Sequence, residues 1–208
     1  MPPLNRLRDN VTAELRNGLK IPLVDIHFGE FSLLEEVVFD DIYGIKDLPD
    51  PKVIVDLGAN IGTFTLQAAK RFPNATVYAY EPDHEFYRRL CQNIQLNNIT
   101  NVETFNFGVA SKSHLPVYVR RSIDEPDPHL RQGKPLTYPC IPLSSIPKCD
   151  VLKCDIEGEE ESMFQNPTYP IAIFELHQEN SSLFEKFKDY TASVHRTIVT
   201  FKKKTPVT

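Results

Sequence analysis

The sequence predicts an α/β fold, a mainly parallel sheet with helices on both faces, and three observations carry that prediction. Short apolar runs alternate with segments of helical spacing along most of the chain. Glycine is scarce, 8 in 208 residues, and Gly58, Gly62, Gly108 and Gly158 all fall at or just after the ends of apolar runs, where backbone geometry asks for them. Proline is abundant, 17 in all, and seven of them crowd the 32 residues from 116 to 147, which are therefore expected to be mostly surface loop. The length favours one domain, with residues 1–48 as an extension packed on the domain formed by 49–208.

Residues 1–48 mix a helix-like start with Ile21 to Phe31, which suits one or two strands and a turn at Gly29. Val53 to Asp56 is a short apolar run ended by glycine, as expected of a strand buried on both faces. A helix follows, burying Phe64, Leu66, Ala68 and Ala69 and closed by Pro73-Asn74. Thr76 to Tyr80 reads as the second strand, stopped by Glu81-Pro82, after which Phe86, Leu90, Ile94 and Asn97 recur at helical spacing. Val102 to Val109 gives a third strand, Asp150 to Cys154 a fourth and Ile171 to Leu176 a fifth, with a short helix over Glu159 to Phe164 between the last two. Ser181 to Tyr190 reads as a further helix and Ser193 to Lys202 as a closing strand.

Composition narrows the function. With 23 Lys+Arg against 28 Asp+Glu the net charge is −5, so no global basic field draws nucleic acid or anionic lipid. No apolar run approaches the roughly 20 residues of a bilayer span, and the polar start from Met1 to Asn10 is unlike a secretory leader, so a cytoplasmic location is expected. Cys91, Cys140, Cys149 and Cys154 show neither CxxC pairing nor zinc-site spacing, which fits a reduced interior. Without a G-x-S-x-G or Walker sequence, hydrolysis and phosphoryl transfer have no support.

In an open α/β sheet ligands bind outside the carboxyl ends of the strands, so the polar strand ends are the candidate site. The first, Asp56-Leu57-Gly58-Ala59-Asn60-Ile61-Gly62, lacks the G-x-G-x-x-G dinucleotide spacing. It resembles the D-x-G-x-N-x-G loop of class I methyltransferases, which implies a Rossmann-like fold and S-adenosylmethionine held by Asp56, Gly58, Asn60 and Gly62. Glu81, 25 residues beyond Asp56, stands where an acid accepts both ribose hydroxyls of an adenosine. Gly108 and Val109 close the third strand, beside the expected adenine. At the fourth strand end Asp155 and Glu157 share a side by period-two alternation, and at the fifth Glu175 and His177 do the same.

Taken together, Asp56 to Gly62, Glu81-Pro82 followed by Asn93 and Asn97, Asp155-Ile156-Glu157-Gly158-Glu159-Glu160 and Glu175-Leu176-His177 resemble the FkbM family of S-adenosylmethionine-dependent methyltransferases, over about residues 40 to 178. The resemblance implies O-methylation of a hydroxyl on a sugar, polyketide or other small molecule. His177 is then the candidate general base, Glu175 or Glu157 orients its ring, and Asp155 borders both cofactor and reacting groups. A metal-assisted route, with Asp155, Glu175 and His177 offering ligands to Mg²⁺, is the alternative mechanism and is not the favoured one. The rival functions are RNA methylation, against which the acidic balance weighs, and non-catalytic binding of the cofactor, against which the acidic pairs weigh.

Overall fold

The computed structural model of the protein describes residues 12–15, 17–22, 41–111, 114–117, 136–156, 163–164, 167–176 and 181–204. Two short strands, β1 (Thr12–Glu14) and β2 (Lys20–Pro22), pair antiparallel ahead of the main sheet. Leu19 and Ile21 are buried, and the Asn97 side chain brackets β2 by accepting from Lys20 N at 2.7 Å and donating to Lys20 O at 2.8 Å.

From β3 onward the predicted alternation is present. β3 (Val53–Leu57) leads into α1 (Thr63–Arg71), β4 (Thr76–Tyr80), α2 (His84–Leu96) and β5 (Val102–Phe105). Phe64, Leu66, Ala68 and Ala69 are buried on α1 as the spacing predicts. Asp83 caps α2, its Oδ1 accepting from Glu85 N at 2.8 Å and Phe86 N at 3.1 Å, which satisfies two of the open donors of a helix start. The chain goes on through β6 (Gly108–Val109), β7 (His114–Val117), β8 (Leu136–Ile141), β9 (Val151–Cys154), β10 (Ile171–Glu175), α3 (Ser181–Lys186), β11 (Tyr190–His195) and β12 (Ile198–Lys203).

The main sheet has seven strands in the order β11-β12-β10-β9-β3-β4-β5. Those from β10 to β5 run parallel, and β12 and β11 add an antiparallel edge. Strand order reverses between β3 and β9, which places the topological switch point between the ends that carry Gly58 and Asp155. Period-two alternation sends the buried residues to two cores. Ile54, Val77 and Ile173 pack on one face with Phe64 and Ala68 of α1 and with Ile42, Tyr43, Ile45 and Leu48. Val55, Leu57, Leu152 and Phe174 pack on the other with Leu183 of α3, Phe187 and Phe201.

Three expectations are corrected. The third strand does not run to Val109: it stops at Phe105, because Asn106 Nδ2 bonds Glu81 O at 2.9 Å and Pro82 O at 3.2 Å and turns the chain across the end of β4. Gly108 and Val109 instead enter a second sheet, ordered β6-β8-β7. The proline-rich segment contributes a strand of this sheet, β8. Pro139 is tolerated there because the ladder to β6 begins only at Cys140, so at Pro139 the strand has β7 alone beside it. Residues 118–135 of that segment lie outside the described residues.

The single closing strand is two, a hairpin of β11 and β12 that turns at Arg196-Thr197, with Arg196 at φ 55. The predicted helix from Ser181 accordingly ends at Lys186, and Tyr190 opens β11. β11 escapes a pattern search because Thr191 to His195 are exposed on both faces and alternate nothing. Of the helix expected over Glu159 to Phe164, only Met163 and Phe164 are described, both buried.

Candidate active site at the strand ends

The loop that leaves β3 is shaped by three left-handed residues, Gly58 (φ 75), Asn60 (φ 52) and Gly62 (φ 94). Gly58 N and Ala59 N both donate to Tyr80 O at 3.0 Å, and Asn93 Nδ2 of α2 donates to Ile61 O at 2.8 Å. The glycine at 58 answers to the neighbouring strand as well as to its φ. A Cβ there would stand 1.9 Å from the Asp155 carbonyl oxygen, so the backbone after β9 closes onto the loop. Gly62 then caps α1 with no side chain, and the first turn carries no acid, which leaves helix N–H groups open toward the loop.

Asp56 is fully buried, and neither carboxylate oxygen faces the loop's outer side. Oδ2 accepts from Thr65 Oγ1 at 2.5 Å, and Oδ1 faces the Lys153 ammonium at 3.2 Å. The sequence expects Asp56 to help hold the cofactor; in the structure its carboxylate is turned inward, to Thr65 and Lys153. Its partner Lys153 was missed by sequence reasoning. The signal was there, a lysine inside the buried run Val151 to Cys154, since a buried cation requires a paired anion.

Lys153 Nζ donates to Gly58 O at 2.7 Å and Leu57 O at 3.4 Å, and lies 3.7 Å from Asp155 Oδ2. Burial by itself favours the neutral amine, but the Asp56 and Asp155 carboxylates outweigh it and raise the pKa above the ordinary lysine value, so Lys153 is a permanent cation. The ring of Tyr43 lies 5.8 Å from Nζ and meets Phe64 edge-on at 5.4 Å, while its hydroxyl donates to Glu175 Oε2 at 3.2 Å. Burial raises the Tyr43 phenol, so it stays a neutral donor. Tyr43 too was missed, because nothing local ties residues 41–48 to the end of β10.

Glu81 is 6% exposed, and each of its oxygens takes one backbone donor: Oε2 accepts from Asn60 N at 2.7 Å and Oε1 from Asp83 N at 2.8 Å. Burial pushes its carboxyl up to about 7, with those two N–H groups pulling the other way. Asp83 in turn accepts from Tyr138 Oη of β8, tying the small sheet to the end of β4.

The predicted residues thus fall into groups. Asn60 donates directly to Glu81, and Gly58 and Gly62 hold the same loop by donating to Tyr80 O and Ala59 O. Asp155 and Glu175 join it through Lys153 and Tyr43. Gly108 and Val109 are buried in β6 opposite Cys140 and Ile141, and a Cβ on Gly108 would meet Cys140 Sγ at 2.8 Å, so packing accounts for that glycine. Glu157 and His177 lie outside the described residues. Among the described residues no three His, Cys, Asp or Glu side chains gather to hold a metal ion, and no helix is long and apolar enough to cross a membrane. A cavity of about 600 Å³ lies along α2, lined by Pro22, Arg88, Arg89, Asn93 and Leu96.

The doubly wound sheet, with its glycine loop at the switch point, is that of the class I methyltransferases. Precorrin-6y C5,15-methyltransferase from Geobacter metallireducens shares it, with a TM-score of 0.53 and 14% identity over 79% of this chain and 87% of that one. The family model of the methyltransferase FkbM domain matches residues 56–198, and the chain belongs to that family. Methyltransferase 1 of Beauveria bassiana is 29% identical over 104 residues, 50% of this chain and 39% of that protein. Methyltransferase sdnD of Sordaria araneosa is 35% identical over 82 residues, 39% of this chain and 32% of that protein. The matches thus span less than two fifths of these curated relatives.

Proposed function

We propose that the protein binds S-adenosylmethionine at the carboxyl ends of β3 and β4 and methylates a hydroxyl oxygen of a small molecule. The observation that carries the reading is Glu81: a buried carboxylate whose oxygens each spend one lone pair on a loop N–H and keep another for a donor, as a ribose diol requires. The open N-terminus of α1 supports it, being suited to a carboxylate. When bound, the cofactor supplies an electrophilic methyl group on a sulfonium.

The chain's own residues supply position and a proton acceptor. Asn60 and Gly62 shape the loop, and Lys153 holds it by the Gly58 carbonyl. Glu175, oriented by the Tyr43 hydroxyl, stands at the acceptor side of the switch point. His177, two residues further along, is proposed to take the hydroxyl proton, since its ordinary pKa near 6.5 suits that task. Asp155 is proposed to border the same space, and Glu157 keeps the role that the family resemblance implies for it, orienting the His177 ring. Family membership and the named methyltransferase relatives support methyl transfer, and the acidic balance of the chain supports a small-molecule acceptor over RNA.

Calorimetry with S-adenosylhomocysteine and with NAD tests the cofactor. Binding of the first and not the second is expected, and the reverse result removes the reading. Transfer of labelled methyl from S-adenosylmethionine to a panel of sugars and polyketide alcohols, run beside total RNA, tests the acceptor. Label in RNA alone would replace the small-molecule reading by RNA methylation.

A further inference from the structure

The Lys153 ammonium does more than neutralise Asp56. An ion pair that only balanced charge would need the carboxylate alone, yet four oxygens from two strand ends surround this nitrogen: Asp56 Oδ1 at 3.2 Å, Asp155 Oδ2 at 3.7 Å, Gly58 O at 2.7 Å and Leu57 O at 3.4 Å. The shortest of these distances is to the loop backbone and not to a carboxylate. Two of the four, Gly58 O and Leu57 O, accept hydrogen bonds from the ammonium, the two carboxylates face it as counter-charges, and only 4% of the side chain is exposed.

Asp56 itself is fixed from the other side by Thr65 of α1. A chain of contacts therefore runs from α1 through Asp56 and Lys153 to the first residue of the loop and to the carboxylate that follows β9. Asp155 N also donates to Leu57 O at 3.1 Å, so the two strand ends meet at the same carbonyl that the lysine reaches.

We propose that Lys153 is a positioning residue, whose buried ammonium pre-sets the Leu57–Gly62 loop and the Asp155 carboxylate before any ligand arrives. The affinity consequence rests on the reading that this loop binds S-adenosylmethionine; the ordering consequence does not. Asp56 is the counter-ion that makes the cation tolerable inside the sheet. Removing the lysine alone would strand a buried charge and confuse stability with position, so the informative perturbation removes both charges together.

Wild type is compared with the neutral pair Asp56→Asn with Lys153→Met. Circular dichroism establishes a temperature at which both are folded. There, the Gly58 and Ala59 amides, bonded to Tyr80 O in the wild type, should exchange at least about tenfold faster in the neutral pair, while amides of β4 and β10 keep their protection. S-adenosylhomocysteine should bind the neutral pair about tenfold more weakly than wild type or worse, because only the fraction of loops in the competent shape binds. Unchanged loop exchange in the neutral pair overturns the proposal. If wild type binds no S-adenosylhomocysteine, the cofactor reading fails while the exchange comparison still decides the role of Lys153. Asp56→Asn with Lys153→Gln, which keeps a donor but not the reach to Gly58, repeats the comparison should the methionine pair not fold. Failure of both pairs to fold would assign Lys153 to stability alone.

Discussion

Acidifying the solution from pH 8 to 5.5 should weaken S-adenosylhomocysteine binding through one carboxyl group, Glu81. Its burial pushes the carboxyl up to about 7, so half of the unliganded protein carries a proton there at neutral pH. Accepting two ribose hydroxyls requires the ionised form. The apparent Kd then grows by the inverse of the ionised fraction, about twofold at pH 7, about elevenfold at pH 6 and about thirtyfold at pH 5.5.

Stability runs the other way. The folded pKa of Glu81 lies above its ordinary value of 4.5, so the folded state holds the proton more tightly than the unfolded chain. The contribution is fully present below about 4.5 and is lost as pH rises through about 7, a difference of about 3 kcal/mol. Titration calorimetry at matched ionic strength reads the affinity, and urea unfolding without ligand reads the stability. Glu81→Gln should bind weakly and without this slope, since the amide cannot ionise and leaves one loop N–H without its acceptor. A wild-type Kd that changes less than twofold between pH 5.5 and 8, or a Glu81→Gln variant that keeps the wild-type slope, would refute the assignment.

Other substitutions test the packing around the loop. Gly58→Ala forces a Cβ to within 1.9 Å of the Asp155 carbonyl at φ 75, and should cost about 3 kcal/mol or more in chemical unfolding, well beyond the roughly 1 kcal/mol of an ordinary glycine replacement. Lys153→Met alone leaves Asp56 buried and unpaired, and should cost about 3 to 5 kcal/mol in the same assay, a loss that the neutral pair largely recovers. Tyr43→Phe keeps the edge contact with Phe64 and loses only the bond to Glu175, so a loss of about 1 to 2 kcal/mol is expected from thermal unfolding, and a larger one would mean that the phenol does more than hold Glu175. Tyr43→Ala adds a cavity beside Phe64 and should cost about 3 to 5 kcal/mol by the same measurement.

What the sequence by itself determined is what local periodicity carries. Thr76–Tyr80 is a strand between Asn74 and Glu81-Pro82 whatever surrounds it, and the helix His84–Leu96 follows from the spacing of Phe86, Leu90 and Ile94. The fold class follows from the same alternation, and the D-x-G-x-N-x-G loop and Glu81 were legible because a glycine turn and an acid at strand ends are local marks. Tertiary structure decided the partners. Lys153 is 95 residues from the Gly58 carbonyl it holds, and Tyr43 is 132 residues from Glu175, separations that no window of sequence joins. It also decided where strands stop: Asn106 breaks the third strand by bonding carbonyls of residues 81 and 82, and β11 forms because β12 offers it a ladder, not because its own residues alternate. The physical reason is the same in each case. Propensity and burial pattern act between neighbours along the chain, whereas a buried charge, a close backbone approach or an exposed edge strand is set by groups that meet only once the sheet has assembled.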